Sequence, residues 1–188
     1  MSELAPGLLI AAPPLGDPNF ERSVVLLASH DEEGAFGWVL NGRMLMSVSE
    51  LLLRADVTER RIKVPGLVRF GGPVSQDQIW LVYPEAERLA GIDGQFDVAG
   101  GIVATASRTV LERIANGAAA IPRILGFAGY AGWGSGQLEG EIRVGSWLPS
   151  DVDPSLVFEE PVEELWERAY RRLGTTPIAF TSRTVGSA

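Results

Sequence analysis

The chain has no cysteine in 188 residues. That excludes a disulfide framework, a thiolate nucleophile and a sulfur-ligated metal. Histidine is nearly as scarce. His30 is the only one, so a multi-histidine zinc site within one chain is ruled out, and a hard cation would need carboxylates. No metal and no cofactor is expected. Long apolar runs are missing too. The longest, such as Leu8 to Leu15, are too short for a bilayer and contain prolines. The opening Met1-Ser2-Glu3-Leu4-Ala5-Pro6 lacks the basic and apolar regions of a secretory signal. The expectation is a cytoplasmic protein with no membrane association.

Positive charge is in deficit. Sixteen Lys and Arg face 24 Asp and Glu, leaving a net charge of −8 and a pI near 4.7. Such a chain is repelled on average by phosphate backbones and anionic membranes. The most basic region, Arg54, Arg60, Arg61, Lys63 and Arg69, is interleaved with Glu50, Asp56 and Glu59 and reads as a mixed solvated surface. There is no convincing helix-turn-helix, so direct DNA binding is disfavoured.

Apolar residues make up 46% of the chain, enough for a substantial core. Internal repeats and low-complexity linkers are missing. Residues 1–188 are read as one domain. Gly7 to Ala12 reads as a strand stopped by Pro13-Pro14, and Leu15 to Phe20 as a turn. Val24 to Ala28 is almost continuously apolar and reads as a strand covered on both faces. After the polar turn Asp31 to Gly34, Ala35 to Leu40 completes a hairpin.

Ser47-Val48-Ser49-Glu50 has the form of a capping box opening a short helix. Leu67 to Phe70 and Gln78 to Tyr83 are strand candidates around Gly71-Gly72-Pro73, and Pro84 to Gln95 reads as a surface loop. Gly101 to Thr105 is a strand, and Ser107 caps a helix that presents Val110, Leu111, Ile114 and Ala115 and stops at Gly117. Ile121 to Phe127 is strand-like. The last helix opens near Pro161, with Glu163 and Glu164 at its positive end and Arg168, Arg171 and Arg172 at its negative end. It carries Leu165, Ala169 and Leu173 at every fourth position and stops at Gly174. Pro177 to Ser182 could add a final strand. Five tryptophans, Trp38, Trp80, Trp133, Trp147 and Trp166, are expected mostly in the core.

Three stretches together carry a resemblance. The first is Gly16-Asp17-Pro18-Asn19-Phe20-Glu21-Arg22-Ser23, running through His30 to Gly34-Ala35-Phe36-Gly37-Trp38-Val39-Leu40-Asn41. The second is Gly71-Gly72-Pro73-Val74. The third is Gly129-Tyr130-Ala131-Gly132-Trp133-Gly134-Ser135-Gly136-Gln137-Leu138-Glu139, followed by Glu141-Ile142 and Trp147-Leu148. Their order and spacing resemble the AlgH/YqgE family over roughly residues 7 to 174. Two positions depart from the family pattern: Gly42 stands between Asn41 and Arg43, and Tyr83 stands where relatives often carry histidine. The resemblance implies an α+β fold, a mixed, bifurcated, partly barrel-like β-sheet surrounded by helices. It implies a regulator of transcription only as a loose label, with no reaction, catalytic residue or cofactor.

The residues themselves offer little catalytic chemistry. No Lys or Arg lies between Gly126 and Ile142, so the Walker pattern is absent, and Gln137 breaks the G-x-G-x-x-G spacing. A helix opening near Ser135 would offer free amides to an anion, while the turn chemistry alone reads as a tight turn packing Tyr130 and Trp133 into the core. Asp17, Ser23 and His30 are triad residue types, but Ser23 and His30 bracket one strand and stand about 23 Å apart at strand rise. Glu139 and Glu141 would share a face on a strand and diverge on a helix. As a carboxylate pair they would suit acid–base work or a divalent cation. As surface groups one would meet Arg143.

The leading expectation is therefore a non-enzymatic regulatory or interaction protein. Its three signature turns, at Asp17, Gly71 and Gly129, would converge on one face and bind a small molecule or protein partner. Candidate binding residues are Asp17, Phe20, His30, Asn41, Gly71, Gly72, Pro73, Tyr130, Gly132, Trp133, Gln137, Glu139 and Glu141. No catalytic residue, metal ligand or oligomeric state is assigned. The alternative is a hydrolytic enzyme of unrecognised type using carboxylates.

Overall fold

A computed structural model describes residue 4, residues 7–98 and residues 100–180. Its strands are β1 (Gly7–Ala11), β2 (Val24–His30), β3 (Gly34–Val39), β4 (Met44–Ser47), β5 (Leu67–Phe70), β6 (Val74–Pro84), β7 (Gln95–Asp97), β8 (Ile102–Thr105), β9 (Leu125–Gly134) and β10 (Trp147–Ser150). Its helices are α1 (Val48–Arg54), α2 (Arg108–Ala115), α3 (Gln137–Arg143), α4 (Pro154–Phe158) and α5 (Leu165–Arg172), with 3₁₀ turns at Glu85–Glu87 and Val162–Glu164.

The strands form one curled, half-barrel sheet in the order β10-β1-β2-β3-β9-β6-β8-β7, and it forks at β9. One edge of β9 pairs with β6. The other edge is divided. Ala131 to Gly134 pair antiparallel with β3, and Gly126 to Ala128 pair parallel with β5, which carries β4 beside it. Gly71 sits at the fork. Its N–H donates to the Ala128 carbonyl and its own carbonyl accepts the Val39 N–H, both at 2.9 Å. A side chain there would run into the Gly129 carbonyl oxygen, and Gly129 has φ of +72°, a left-handed angle that glycine adopts without steric cost.

Alternation along the strands explains their nearly continuous apolar runs. In β1 and β2, Leu8, Ile10, Val24 and Leu26 enter a core with Trp38, Phe127, Trp166 and Tyr170. The residues between them, Leu9, Ala11, Val25 and Leu27, enter a second core on the other face with Trp133, Leu138 and Trp147. The far half of the sheet carries a third core, where Leu81, Tyr83 and Val103 meet α1 and α2. Both faces of β2 are covered, as its composition requires.

The helices follow their sequence signals in part. Ser47 caps α1, its Oγ accepting the Glu50 N–H at 3.1 Å. The return half of the box is missing because the Glu50 carboxylate pairs with Arg54 at 2.6 Å. Ser107 stands at the N-cap of α2, but its hydroxyl makes no capping bond. Its own N–H is held by Thr105 Oγ1 at 3.0 Å. Trp166 and Tyr170 of α5 stack edge to face, and both donate to the Ala11 carbonyl, at 2.8 and 3.1 Å. Leu165 and Ala169 are buried, whereas Leu173 lies beyond the helix and is partly exposed.

Several expectations are corrected. The glycine-rich third signature is not a turn: Gly129 to Gly134 continue β9, the strand at the fork, and only Gly136 onward turns into α3. That strand starts at Leu125, so Ile121 to Ile124 lie outside it. β4, β7, β10 and α4 had no strong sequence signal. Residues 177–180 are helical rather than extended, and 181–182 of that candidate strand lie outside the described residues.

Candidate functional site

The first signature is a turn organised by Asp17, as its residue types suggest. Asp17 Oδ1 accepts the Asn19 N–H at 2.8 Å, and its carbonyl accepts the N–H groups of Phe20 and Glu21 at 2.9 and 2.8 Å. Asn41 ties this turn to the end of β3. Its Oδ1 accepts the Val24 N–H and its Nδ2 donates to the Arg22 carbonyl, both at 2.9 Å. Arg22 has φ of +54°, a left-handed angle for a side chain with a Cβ. Ser23 follows it and is only 3% exposed.

Next to this turn lies a polar cleft of about 380 Å³. Pro18, Asn19, Glu21 and Ser23 come from the turn, Val39, Asn41, Gly42 and Arg43 from the end of β3, and Phe70 and Gln76 from the segments flanking Gly71-Gly72-Pro73. The Ser23 hydroxyl is buried and has no hydrogen-bond partner. The Arg43 guanidinium lies over the Phe70 ring, 5.8 Å from its centroid. Among the described residues Arg43 makes no ion pair. A second unusual angle, φ of +47° at Ser75, adjoins the cleft beside Gln76. Gly42 is explained by space: a side chain there would strike the Phe70 carbonyl oxygen.

The third signature meets the other two through packing. The Phe20 ring stacks on Trp133 at 6.1 Å and meets Trp147 edge-on at 5.6 Å. Gly72 lies directly against the Tyr130–Ala131 backbone, too close for a side chain. Val74 pairs with Tyr130 in the ladder. Tyr130 turns its ring to Phe36 at 5.9 Å, on the opposite face from Trp133.

On α3 the two glutamates serve different partners. Glu141 Oε2 accepts the indole N–H of Trp133 at 2.9 Å and that of Trp147 at 2.8 Å, and its Oε1 accepts from Gln137 Nε2 at 2.9 Å. Gln137 Oε1 in turn accepts the Gly134 N–H at 3.1 Å. Glu139 Oε1 lies 2.9 Å from His30 Nε2, at the end of β2. A backbone hydrogen bond, and after it the His30 contact, lower the Glu139 pKa from its ordinary value, with partial burial opposing them. Neither glutamate pairs with Arg143. Their divergence on a helix removes the acid–base pair that a strand would have offered.

The thirteen candidate residues therefore separate. Asn41 lines the cleft. Asp17, Phe20, Gly71, Gly72 and Pro73 build its surroundings. Trp133, Gln137 and Glu141 form a hydrogen-bonded clamp beneath Phe20, and His30 pairs with Glu139 beside it. Tyr130 and the exposed Gly132 point elsewhere. Ser23 and His30 stand at opposite ends of β2, so no triad forms. Among the described residues, no three His, Asp or Glu side chains gather as a metal site, and no helix is long and apolar enough to cross a membrane. Arg43 and Gln76 escaped sequence reasoning, and Ser23 entered it only as a triad residue type. An arginine following the strand-ending Asn41 is the one signal that could have pointed there.

The family signature described as AlgH-like matches residues 8–178. A UPF0301 protein of Anaeromyxobacter sp. (strain Fw109-5) is 42% identical over 187 residues, covering 95% of this chain and 92% of that protein. A UPF0301 protein of Ruegeria pomeroyi is 40% identical, covering 96% and 97%. The solution structure of the AlgH protein from Pseudomonas aeruginosa superposes with a TM-score of 0.74 at 31% identity, covering 96% of this chain and 94% of that one. A crystal structure of a Corynebacterium diphtheriae protein gives 0.70 at 29% identity, covering 89% and 86%. The chain belongs to the AlgH-like family.

Proposed function

We propose that this AlgH-like chain is a cytoplasmic, non-enzymatic regulatory protein that binds a small-molecule or protein partner at the cleft between its first two signatures. One observation carries the reading. The fold places Arg43, which makes no ion pair among the described residues, on one polar cleft with Ser23, Asn41 and Gln76, beside two left-handed non-glycine residues. Strained angles and unsatisfied polar groups concentrate where proteins bind ligands. The signature residues that line no cleft act as the frame that holds it.

Hydrolysis finds no support in the carboxylates, since Glu141 is committed to two indoles and Glu139 to the lone histidine. Control of transcription, where it occurs, would run through a bound partner, because a chain of net charge −8 is ill-suited to DNA.

Amide spectra of ¹⁵N-labelled protein in the presence of cell extract, fractionated by size, test the proposal. Perturbations should gather at residues 18–23, 41–43 and 70–76. Perturbations confined to the apolar groove lined by Ile62, Val64, Ile114 and Ile121 would contradict it.

A further inference from the structure

A second opening shares no residue with the polar cleft. β5 and β9 pair in parallel from Val68 and Gly126 onward. Before that point the two chains part, and an apolar groove of about 540 Å³ opens between them. Residues 62–65 line one bank and residues 119–122 the other, with Val48 of α1 and Ile114 of α2. The volume lies within the span of ligand sites, roughly 300 to 1,000 Å³.

Both banks carry unused backbone groups. Exposure alternates residue by residue from Arg61 to Leu67, as in an extended chain. Ile62 and Val64 pack inward, while Arg61 and Lys63 stand outward. The Val64 N–H donates to Ser49 Oγ at 3.1 Å, and its carbonyl accepts from the same hydroxyl at 3.3 Å. That edge of the segment is therefore held by α1. In an extended chain the next residue aims its backbone groups at the opposite edge, so those of Lys63 face the groove. Among the described residues, Lys63 makes no hydrogen bond, and neither do Ala120 and Ile121 on the other bank.

These groups select the occupant. An aliphatic chain would fill the groove and leave the backbone donors and acceptors unpaired. An extended peptide fills it and pairs them, as strands added to an open edge do. Charge selects further. The lining includes Lys63 and no carboxylate, and among the described residues Arg60, Arg61 and Lys63 make no ion pair. On an added strand, outward side chains would stand across from Arg61 and Lys63, where opposite charges attract. The net charge of −8 opposes an acidic partner at long range, but physiological salt screens it beyond about 8 Å.

We propose that the groove takes an extended, acidic segment of a partner protein, its alternate apolar side chains packed against Ile62, Ile114 and Ile121. This surface is separate from the polar cleft and does not depend on it.

The test is a titration of the ¹⁵N-labelled protein with a capped heptapeptide alternating Glu and Val. Its counterparts are a peptide alternating Lys and Val, the Glu–Val peptide N-methylated throughout, and decanoate. The Glu–Val peptide should give saturable shifts of the Ile62, Lys63, Ala120 and Ile121 amides, with a Kd of about 1 mM or below, or −4.1 kcal/mol and beyond. The Lys–Val peptide should bind about fivefold more weakly or worse, and the N-methylated peptide should give no saturable shift. Lys63→Glu should weaken Glu–Val binding several-fold at an unchanged melting temperature, since the side chain is exposed and unpaired. R43Q should bind the peptide as the unaltered protein does, which keeps this surface distinct from the polar cleft. Equal binding by the Lys–Val or the N-methylated peptide would overturn the proposal. So would binding of decanoate alone, or peptide shifts that gather at residues 18–23 and 41–43.

Discussion

Glu141 accepts the indole N–H of Trp133 at 2.9 Å, and this contact fixes the third signature in place. The same oxygen takes the Trp147 indole at 2.8 Å, and Gln137 holds the other. One carboxylate thus joins β9, α3 and β10 beneath Phe20. Gln137 and Glu141 thus spend their hydrogen bonds on holding this frame together.

Removing that carboxylate should be costly, since it leaves two part-buried indole donors unpaired. Glu141→Ala is expected to lose about 3 kcal/mol of stability, and Glu141→Gln about half of that, from typical values for hydrogen bonds to charged groups. Urea unfolding followed by tryptophan fluorescence measures both. Losses below about 0.5 kcal/mol would mean that the clamp contributes little.

Ser23 should behave in the opposite way. Its hydroxyl is buried without a partner, so Ser23→Ala removes a desolvated group and is expected to leave stability unchanged or raise it by about 1 kcal/mol. Thermal unfolding of the ligand-free protein reads this directly. A loss of more than 1 kcal/mol would show that the hydroxyl is satisfied in solution.

At the fork, Gly71→Ala should destabilise strongly, by about 3 kcal/mol or more, because the new methyl meets the Gly129 carbonyl oxygen and a packed backbone cannot yield. Gly136→Ala meets open space and carries only the cost of its left-handed φ of +71°, which Gly71 does not share, and it should cost about 1 kcal/mol. Equal losses in the two variants would refute the steric account.

Three ionisable groups give a pH signature. Burial pushes the phenols of Tyr83 and Tyr170 up to about 12. A raised folded value means that stability is fully present below the ordinary value of 10.0 and is lost as pH rises through 12. Absorbance of phenolate should therefore show two tyrosines ionising late, together with alkaline unfolding. Glu139 has the opposite sign. Its lowered value stabilises the fold above 4.5, and that contribution fades as pH falls below it. The carboxyl resonance of Glu139 should titrate below 4.5, and His30→Ala should move its midpoint upward.

The sequence revealed the fold unevenly, for physical reasons. The β2–β3 hairpin was legible because alternate residues of Val24 to Leu27 face different cores, and α1 because Ser47 is a true cap. The third signature was misread as a turn. Of its glycines Gly129 is pressed, by the carbonyl oxygens of Gly72 and Val74, and local turn rules cannot separate that cause from a bend. β10 escaped because its burial comes from pairing with β1, more than 130 residues away in the chain. The cleft was only half legible. Asn41 and the Asp17 turn stood out by residue type, but Arg43, Gln76 and the orphaned hydroxyl of Ser23 acquire meaning only when Phe70 is brought beside them.

The central claim is that the cleft around Arg43 is where a partner binds. Amide spectra of R43Q beside those of the unaltered protein, each with the size-fractionated extract, test it most directly. The account predicts perturbations at residues 18–23, 41–43 and 70–76 that R43Q loses. Perturbations that persist unchanged in R43Q, or that gather elsewhere, would contradict it.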